Sequence, residues 1–220
     1  MMNHILNSFL NRRLLVKLGA GFLGLSLLAA TAPAFAADMA ADAFVKQLSD
    51  EVVDTIKSDK SFQASNMVKL TALVDSKVMP HVNFRRITAS AVGPGWSKAT
   101  PEQQKQLQDE FKSLLLRTYA GALSQITDQT IAVKPLRASP EDTEIVIRTE
   151  VRGKGEPIQL DYRLEKTPGV GSGWKIYNLN VMGVWLMETF RSQFSQEINA
   201  KGVDGLIATL KSRNQAMVGK

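Results

Sequence analysis

Residues 143–165, TEIVIRTEVRGKGEPIQLDYRLE, contain the clearest indication of the fold class. Apolar and polar side chains alternate on both sides of residues 153–157, a short segment with two glycines and a proline. This pattern is typical of two strands joined in a hairpin. The predicted inner face carries Ile145, Ile147, Thr149 and Val151 from the first strand and Leu160, Tyr162 and Leu164 from the second. Such alternation predicts an antiparallel sheet with one covered face and one face in water.

Strands and helices follow one another in separate blocks around this hairpin. Residues 129–137 and 174–182 also read as strands, whereas residues 44–126 and 187–210 have apolar residues at helical spacing. The order helices, strands, helices is typical of an α+β protein. We therefore predict a curved antiparallel sheet of about four strands, covered on one face by N- and C-terminal helices.

The helix that begins after Thr100 has the clearest start signal in the chain. Thr100 can accept at the N-cap, Pro101 suits the first helical position, and Gln103 completes a capping box. The apolar stripe that follows contains Phe111, Leu115 and Tyr119 and predicts a helix of about 25 residues. A helix of that length can cover much of a four-stranded sheet.

The first 36 residues have the three parts of a bacterial secretory signal peptide. Three basic residues precede an apolar run over residues 18–30, and Ala34-Phe35-Ala36 provides a cleavage site of small residues. The apolar run is shorter than the roughly 20 residues that a membrane-spanning helix needs, which disfavours a membrane anchor. We expect cleavage before Ala37, a periplasmic location, and one domain over residues 37–220.

The composition argues against several classes of function. Removing the leader takes away three of the 27 basic residues and none of the 21 acidic ones, which leaves a net charge of +3. This charge gives little support to a nucleic-acid partner, and we expect none. The chain has no cysteine, and His81 is the one histidine after residue 36, so thiolate and multi-histidine zinc sites are excluded.

No motif for catalysis stands out. His81 could be grouped with Asp75 and Ser76, but nothing in their spacing fixes the geometry of a triad. The glycine-rich segment 169–173 lies between two predicted strands, whereas a phosphate-binding loop needs a helix after it. We therefore expect neither an enzyme nor a cofactor or metal.

Bulky apolar residues are concentrated on the predicted sheet and its covering helices. They can fill a closed core, or they can line a cone-shaped cavity between the long helix and the sheet. A closed core would suit a structural or interaction protein of the cell envelope. A cavity would suit a carrier or, less well, an enzyme with a pocket, and composition alone does not separate these alternatives.

Four segments form an ordered set across residues 37–220. They are residues 74–86 (VDSKVMPHVNFRR), residues 96–104 (WSKATPEQQ), residues 173–194 with the motifs GWKIYN, GV and FRSQF, and residues 202–207 (GVDGLI). The set resembles the MlaC family, also called the toluene-tolerance family of periplasmic phospholipid-binding proteins. No single segment is diagnostic, but their order is.

The resemblance implies a specific arrangement and specific partners. It implies a cone of the NTF2-like type with extra helices, whose pocket takes phospholipid tails and leaves the head group at the mouth. It also implies handover between an outer-membrane lipoprotein–porin complex and an inner-membrane ABC transporter with a periplasmic ring, by a protein that we expect to be a monomer. The lipid-binding residues predicted on this basis are Phe84, Phe111, Leu115, Tyr119, Ile145, Ile147, Val151, Leu160, Tyr162, Leu164, Ile176, Val184 and Met187.

The chain departs from the family pattern at a few positions. Asn83 and Asn178 stand where the family usually has aspartate, and Phe190 stands where it usually has tyrosine. Trp185 follows Gly183-Val184 where the family usually has serine. We expect the indole of Trp185 to add bulk near the cavity or its rim.

Overall fold

The computed structural model describes residues 38–59, 61–62, 66–139 and 141–217, which all belong to one unit, Phe35–Lys220. The predicted signal peptide lies outside the described residues. The helices are α1 (Ala41–Ser58), α2 (Met67–Leu73), α3 (Phe84–Val92), α4 (Pro101–Ser124) and α5 (Leu186–Ala216). The strands are β1 (Thr130–Val133), β2 (Glu144–Arg152), β3 (Ile158–Lys166), β4 (Trp174–Val181) and β5 (Val184–Trp185).

The five strands pair antiparallel in chain order, β1-β2-β3-β4-β5. The hairpin predicted from residues 143–165 is confirmed as β2 and β3, in which Ile147 pairs with Tyr162 and Ile145 with Leu164. The α+β class is confirmed as well. The sheet has five strands where the sequence predicted about four. The fifth strand, β5, was not predicted because its two residues are too few to produce a pattern of alternation.

One face of the sheet is covered by α1. The apolar stripe of this helix, which includes Phe44 and Val45, packs against Ile145, Ile147 and Leu164, and all five side chains are buried. Val146 and Arg148, which alternate with these residues along β2, are exposed on the opposite face. The period-two pattern therefore divides the sheet into an inner and an outer face, as its sequence predicted.

A second core lies among the helices. Phe111 of α4 makes edge-on ring contacts with Phe190 and Phe194 of α5, at centroid distances of 4.9 and 5.1 Å. The helix α5 breaks at Gly202, whose φ of 71° is readily adopted by glycine because it lacks a Cβ. The break divides α5 into two helical parts. It also lets the second part, with Leu206 and Leu210, join the same core.

The start of α4 is as predicted. The Thr100 hydroxyl accepts a hydrogen bond from the Gln103 main-chain N–H at 3.2 Å, and the Gln103 side chain accepts one from the Thr100 N–H at 2.9 Å. The helix then runs for 24 residues. This fixed start sets which side chains of α4 point towards the sheet.

Candidate functional site

An apolar cavity of about 260 Å³ lies between α4 and the inner face of the sheet. Its wall combines side chains from α3, α4, β3, β4, the start of α5 and the segment between α2 and α3. The described residues that line it are Val74, Val78, Met79, Val82, Phe84, Ile87, Phe111, Lys112, Leu115, Leu116, Tyr119, Leu123, Tyr162, Ile176, Asn178, Leu179, Leu186 and Met187. All of these except Lys112 and Asn178 have apolar or aromatic side chains, so the cavity suits a hydrocarbon ligand.

The helix α4 supplies the most regular part of the wall. Phe111, Leu115, Tyr119 and Leu123 are spaced four residues apart and all line the cavity. This spacing places side chains one above another on one face of a helix. Burial raises the pKa of Tyr119, as expected for a phenol that is partly removed from water.

The segment between α2 and α3 supplies the least regular part. Residues Val74–Val78 form a π-helical turn, and Met79–His81 form a turn of 3-10 helix. Val74, Val78, Met79 and Val82 from this segment line the cavity. Stretches of π-helix are rare and often occur at functional sites, where they re-aim side chains within a helix.

A β-bulge in β4 changes which side chains face the cavity. Leu164 pairs with Ile176 and Arg163 with Asn178, so Tyr177 has no partner on β3. Beyond the bulge the successive residues Asn178 and Leu179 both line the cavity, which strict alternation would not allow.

Tyr177 instead joins a charged cluster at the sheet. The Arg86 guanidinium lies 3.7 Å from the Tyr177 ring centroid, and the Tyr177 hydroxyl donates to Glu144 at 2.9 Å. Burial, together with this carboxylate acceptor, raises the pKa of Tyr177. Arg86 also forms ion pairs with Glu144 and Glu165, which link α3 to β2 and β3.

The carboxamide of Asn178 organises the cavity wall without exposing polarity to it. Its oxygen accepts from the main-chain N–H groups of Leu179 at 2.9 Å and Met187 at 3.2 Å. Its nitrogen donates to Glu188 at 2.9 Å. Asn178 is 2% exposed, so these bonds compensate for its burial.

Asn83 has a parallel role at the start of α3. Its side-chain oxygen accepts from the Arg86 N–H at 3.0 Å, and its nitrogen donates to Glu165 at 2.6 Å. At both positions where the family usually has aspartate, the asparagine of this chain thus donates a hydrogen bond to a glutamate. An ionised aspartate has no N–H group and cannot make this bond.

The structure divides the predicted lipid-binding residues into two groups. Phe84, Phe111, Leu115, Tyr119, Tyr162, Ile176 and Met187 line the cavity. Ile145, Ile147, Leu164 and the partly buried Leu160 belong instead to the core beneath α1, Val151 pairs with Ile131 in β1, and Val184 is 52% exposed. Contact of any of them with a ligand stays a prediction.

Sequence reasoning missed the cavity residues of the irregular segment. Val74, Val78, Met79 and Val82 belong to residues 74–86, which the family resemblance had already marked as a signature. The resemblance over this segment was the one signal that could have pointed to these four residues, because an irregular segment has no hydrophobic periodicity.

Trp185 lies outside the set of cavity-lining residues. The guanidinium of Arg163 lies 4.0 Å from a ring centroid of its indole, and Arg163 also pairs with Glu188 at 2.5 Å. The indole of Trp185 therefore packs against Arg163.

A polar cleft of about 400 Å³ lies on the outer face of the sheet. Its lining includes Arg137, Arg148, Arg163, Glu144 and Tyr177. The polar lining separates this cleft in character from the apolar cavity on the inner side.

Within the described ranges, no cluster of acidic or histidine side chains is placed to hold a metal ion. In the same part of the chain, no helix is both long and apolar enough to cross a membrane.

The chain matches known proteins over most of its length. It is 29% identical to toluene tolerance protein ttg2D of Pseudomonas putida over 161 residues, which are 73% of this chain and 74% of that protein. It is 24% identical to the intermembrane phospholipid transport system binding protein MlaC of Haemophilus influenzae over 169 residues, which are 76% of this chain and 78% of that protein.

A solved structure is more similar still. A phospholipid-binding protein from Ralstonia solanacearum, in complex with a phospholipid, is 49% identical and superposes with a TM-score of 0.77 over 80% of this chain and 98% of that one. The family model described as MlaC protein matches residues 46–212. The apolar cavity and the α+β fold thus occur in a chain that belongs to the MlaC family.

Proposed function

We propose that this protein is a phospholipid carrier that holds acyl tails in the cavity between α4 and the sheet. The observation that supports it most is the apolar wall, in which stripes of Phe111, Leu115, Tyr119 and Leu123 face Ile176 and Leu179. The 49% identical relative from Ralstonia solanacearum was solved with a phospholipid. A solid core, the alternative that suits a structural protein, does not account for the cavity.

The energetics of a carrier follow from the tails. Two acyl chains contain about 30 methylenes, and keeping each from water is worth about 0.8 kcal/mol, or about 24 kcal/mol in all. That exceeds the practical limit of about 18–21 kcal/mol for non-covalent affinity. A bilayer also keeps the tails dry, so exchange between bilayer and cavity is close to balanced. A carrier needs this balance because its cargo must leave again.

An apolar cavity recognises tails and reads little of the head group. We therefore propose weak head-group selectivity. The cavity volume of about 260 Å³ is slightly below the range of ligand pockets, which span about 300–1,000 Å³. The proposal thus requires the walls to move apart when two tails enter.

The site of action in this proposal is the periplasm. Residues 1–36 would direct export and be removed, and the domain over residues 37–220 would pass lipid between an outer-membrane lipoprotein–porin complex and an inner-membrane ABC transporter with a periplasmic ring. This assignment rests on the leader sequence and on the MlaC family. A carrier of this kind needs no catalytic residue.

The test is to express the full chain, recover the protein from the periplasm and examine it by native mass spectrometry with lipid extraction. We expect an intact mass that begins at Ala37 and about one bound phospholipid per protein. We also expect extracted head groups in the proportions of the membrane. A protein that contains no lipid, and that takes none up from vesicles of phosphatidylethanolamine and phosphatidylglycerol, would contradict the proposal.

A further inference from the structure

Lys112 is a charged residue in an otherwise apolar wall. It lies on α4 between Phe111 and Leu115, which both face the cavity, and it lines the cavity itself. Its side chain is 28% exposed, and its Nζ lies 2.7 Å from Oδ1 of Asp75. Lysine commonly packs its methylene stem on apolar surface while the ammonium reaches towards water, and Lys112 follows that behaviour.

The ion pair with Asp75 holds this ammonium at a partly exposed position next to the cavity wall. The residue belongs to the π-helical turn, between Val74 and Val78, which line the wall, and its own side chain is 46% exposed. An ion pair as open to solvent as this one contributes little to stability. The Lys112 ammonium can therefore exchange its partner for another anion at small cost.

A phospholipid offers such an anion at the required place. Its phosphate is joined to the glycerol that carries both tails, so tails inside the cavity leave the phosphate at the rim. Among the cavity-lining residues in the described part of the chain, Lys112 is the one with a positive charge. A lysine ammonium is a compact point charge that suits phosphate oxygens.

We propose that Lys112 binds the lipid phosphate in place of the Asp75 carboxylate, and that this contact selects phospholipids over uncharged lipids with the same tails. The inference rests on the proposed function and adds a polar anchor to it. Since every phospholipid has this phosphate, the anchor excludes diacylglycerol without distinguishing one head group from another. Asp75 competes with the phosphate and holds Lys112 in place when no lipid is bound.

The test offers two lipids with identical tails from the same mixed vesicles, dioleoyl phosphatidylglycerol and dioleoylglycerol. Bound lipid is extracted from the protein and quantified by mass spectrometry. We expect the unaltered protein to prefer the phospholipid and Lys112→Met, which keeps an apolar stem, to lose about tenfold of that preference, as for a charged hydrogen bond. Lys112→Arg should restore the preference, and Asp75→Asn should increase it.

Lys105→Met is the matched control. Lys105 lies on the same helix and pairs with Asp109 at 2.6 Å, but its side chain is 76% exposed and it does not line the cavity. This variant should keep the full preference.

The outcomes separate the two proposals. If Lys112→Met binds both lipids with the preference unchanged, the phosphate anchor is wrong and the carrier function stands. If the unaltered protein binds neither lipid, both proposals fall. If circular dichroism shows that Lys112→Met does not fold, the result for Asp75→Asn tests the phosphate anchor instead. An unchanged or reduced preference for the phospholipid in that variant would overturn the anchor.

Discussion

The side-chain amide of Asn178 donates a hydrogen bond of 2.9 Å to a carboxylate oxygen of Glu188, which ties β4 to the first turn of α5. Two cavity-lining residues depend on this junction, because the Asn178 oxygen also accepts from the N–H groups of Leu179 and Met187. One side chain thus sets the positions of two wall segments.

Asn178→Asp should destabilise the protein by about 1–3 kcal/mol at neutral pH. The substitution removes the donor to Glu188 and places a second carboxylate beside it in a position that is 2% exposed. Urea unfolding at neutral pH measures the loss. Combining it with Glu188→Gln should recover part of the stability, because the glutamine can donate to the new aspartate.

Asn83→Asp is the control for this change. It also replaces a donor to a glutamate, Glu165, but Arg86 already pairs with Glu165 and the oxygen that caps α3 remains. We expect a smaller loss than for Asn178→Asp. Equal losses would show that the Asn178–Glu188 bond has no special weight.

The stability should fall in acid, and Glu188 should contribute to that fall. Burial raises the pKa of Glu188, but hydrogen bonds from Asn178 and Arg163 outweigh it, and the pKa lies below its usual 4.5. A carboxylate with a lowered pKa stabilises the folded state above its unfolded pKa, and this contribution is lost as the pH falls through the folded pKa. The free energy of unfolding should therefore decrease as the pH is lowered below about 4.5.

Glu188→Gln provides the comparison for this pH dependence. Its urea-unfolding profile should be flatter than that of the unaltered protein over the same acidic range, because one titrating group has been removed. Identical slopes would contradict the assignment to Glu188. Glu144, whose pKa is lowered chiefly by its hydrogen bond from Arg86, should contribute to the remaining slope.

Val78→Phe should reduce bound phospholipid to less than about half, because its ring would occupy space in the cavity. Val78 lines the wall in the irregular segment, so the added volume faces the proposed tails. Lipid extraction from the purified variant measures the result. The matched control is Val146→Phe, the same change on the outer face, where the side chain is 37% exposed. Equal lipid content in the two variants would argue against this cavity as the site of the tails.

Trp185→Ser should leave lipid content unchanged while costing about 0.5–1 kcal/mol of stability. The indole stacks against Arg163 and does not line the cavity. Thermal unfolding and lipid extraction on the same preparation separate the two effects. A change in lipid content without a change in stability would place Trp185 at the cavity after all.

Local patterns were sufficient to predict most of the secondary structure. The β2–β3 hairpin follows from strict alternation in residues 143–165, and the start of α4 follows from the capping box of Thr100 and Gln103. Both signals depend on residues that are close in the chain, so they can be read without knowing the fold. The fifth strand was missed because its two residues have no period.

The cavity was less accessible to sequence reasoning. The stripe of Phe111, Leu115 and Tyr119 on α4 could be read from the sequence, since its spacing of four residues is a property of the helix itself. The placement of Ile145, Ile147 and Leu164 beneath α1 depends on which helix covers which part of the sheet. The alternation shows that these residues face inward but not what they face.

Local patterns establish the division of the chain into helices and strands, the inner and outer faces of the hairpin, and the family resemblance. Where the inner face is filled and where it is hollow depends on how distant segments pack together. The bulge at Tyr177 and the π-helical turn at Val74–Val78 break the local periodicity, and both border the cavity. Such breaks arise when packing between distant segments outweighs local preference. They therefore cannot be predicted from a window of neighbouring residues.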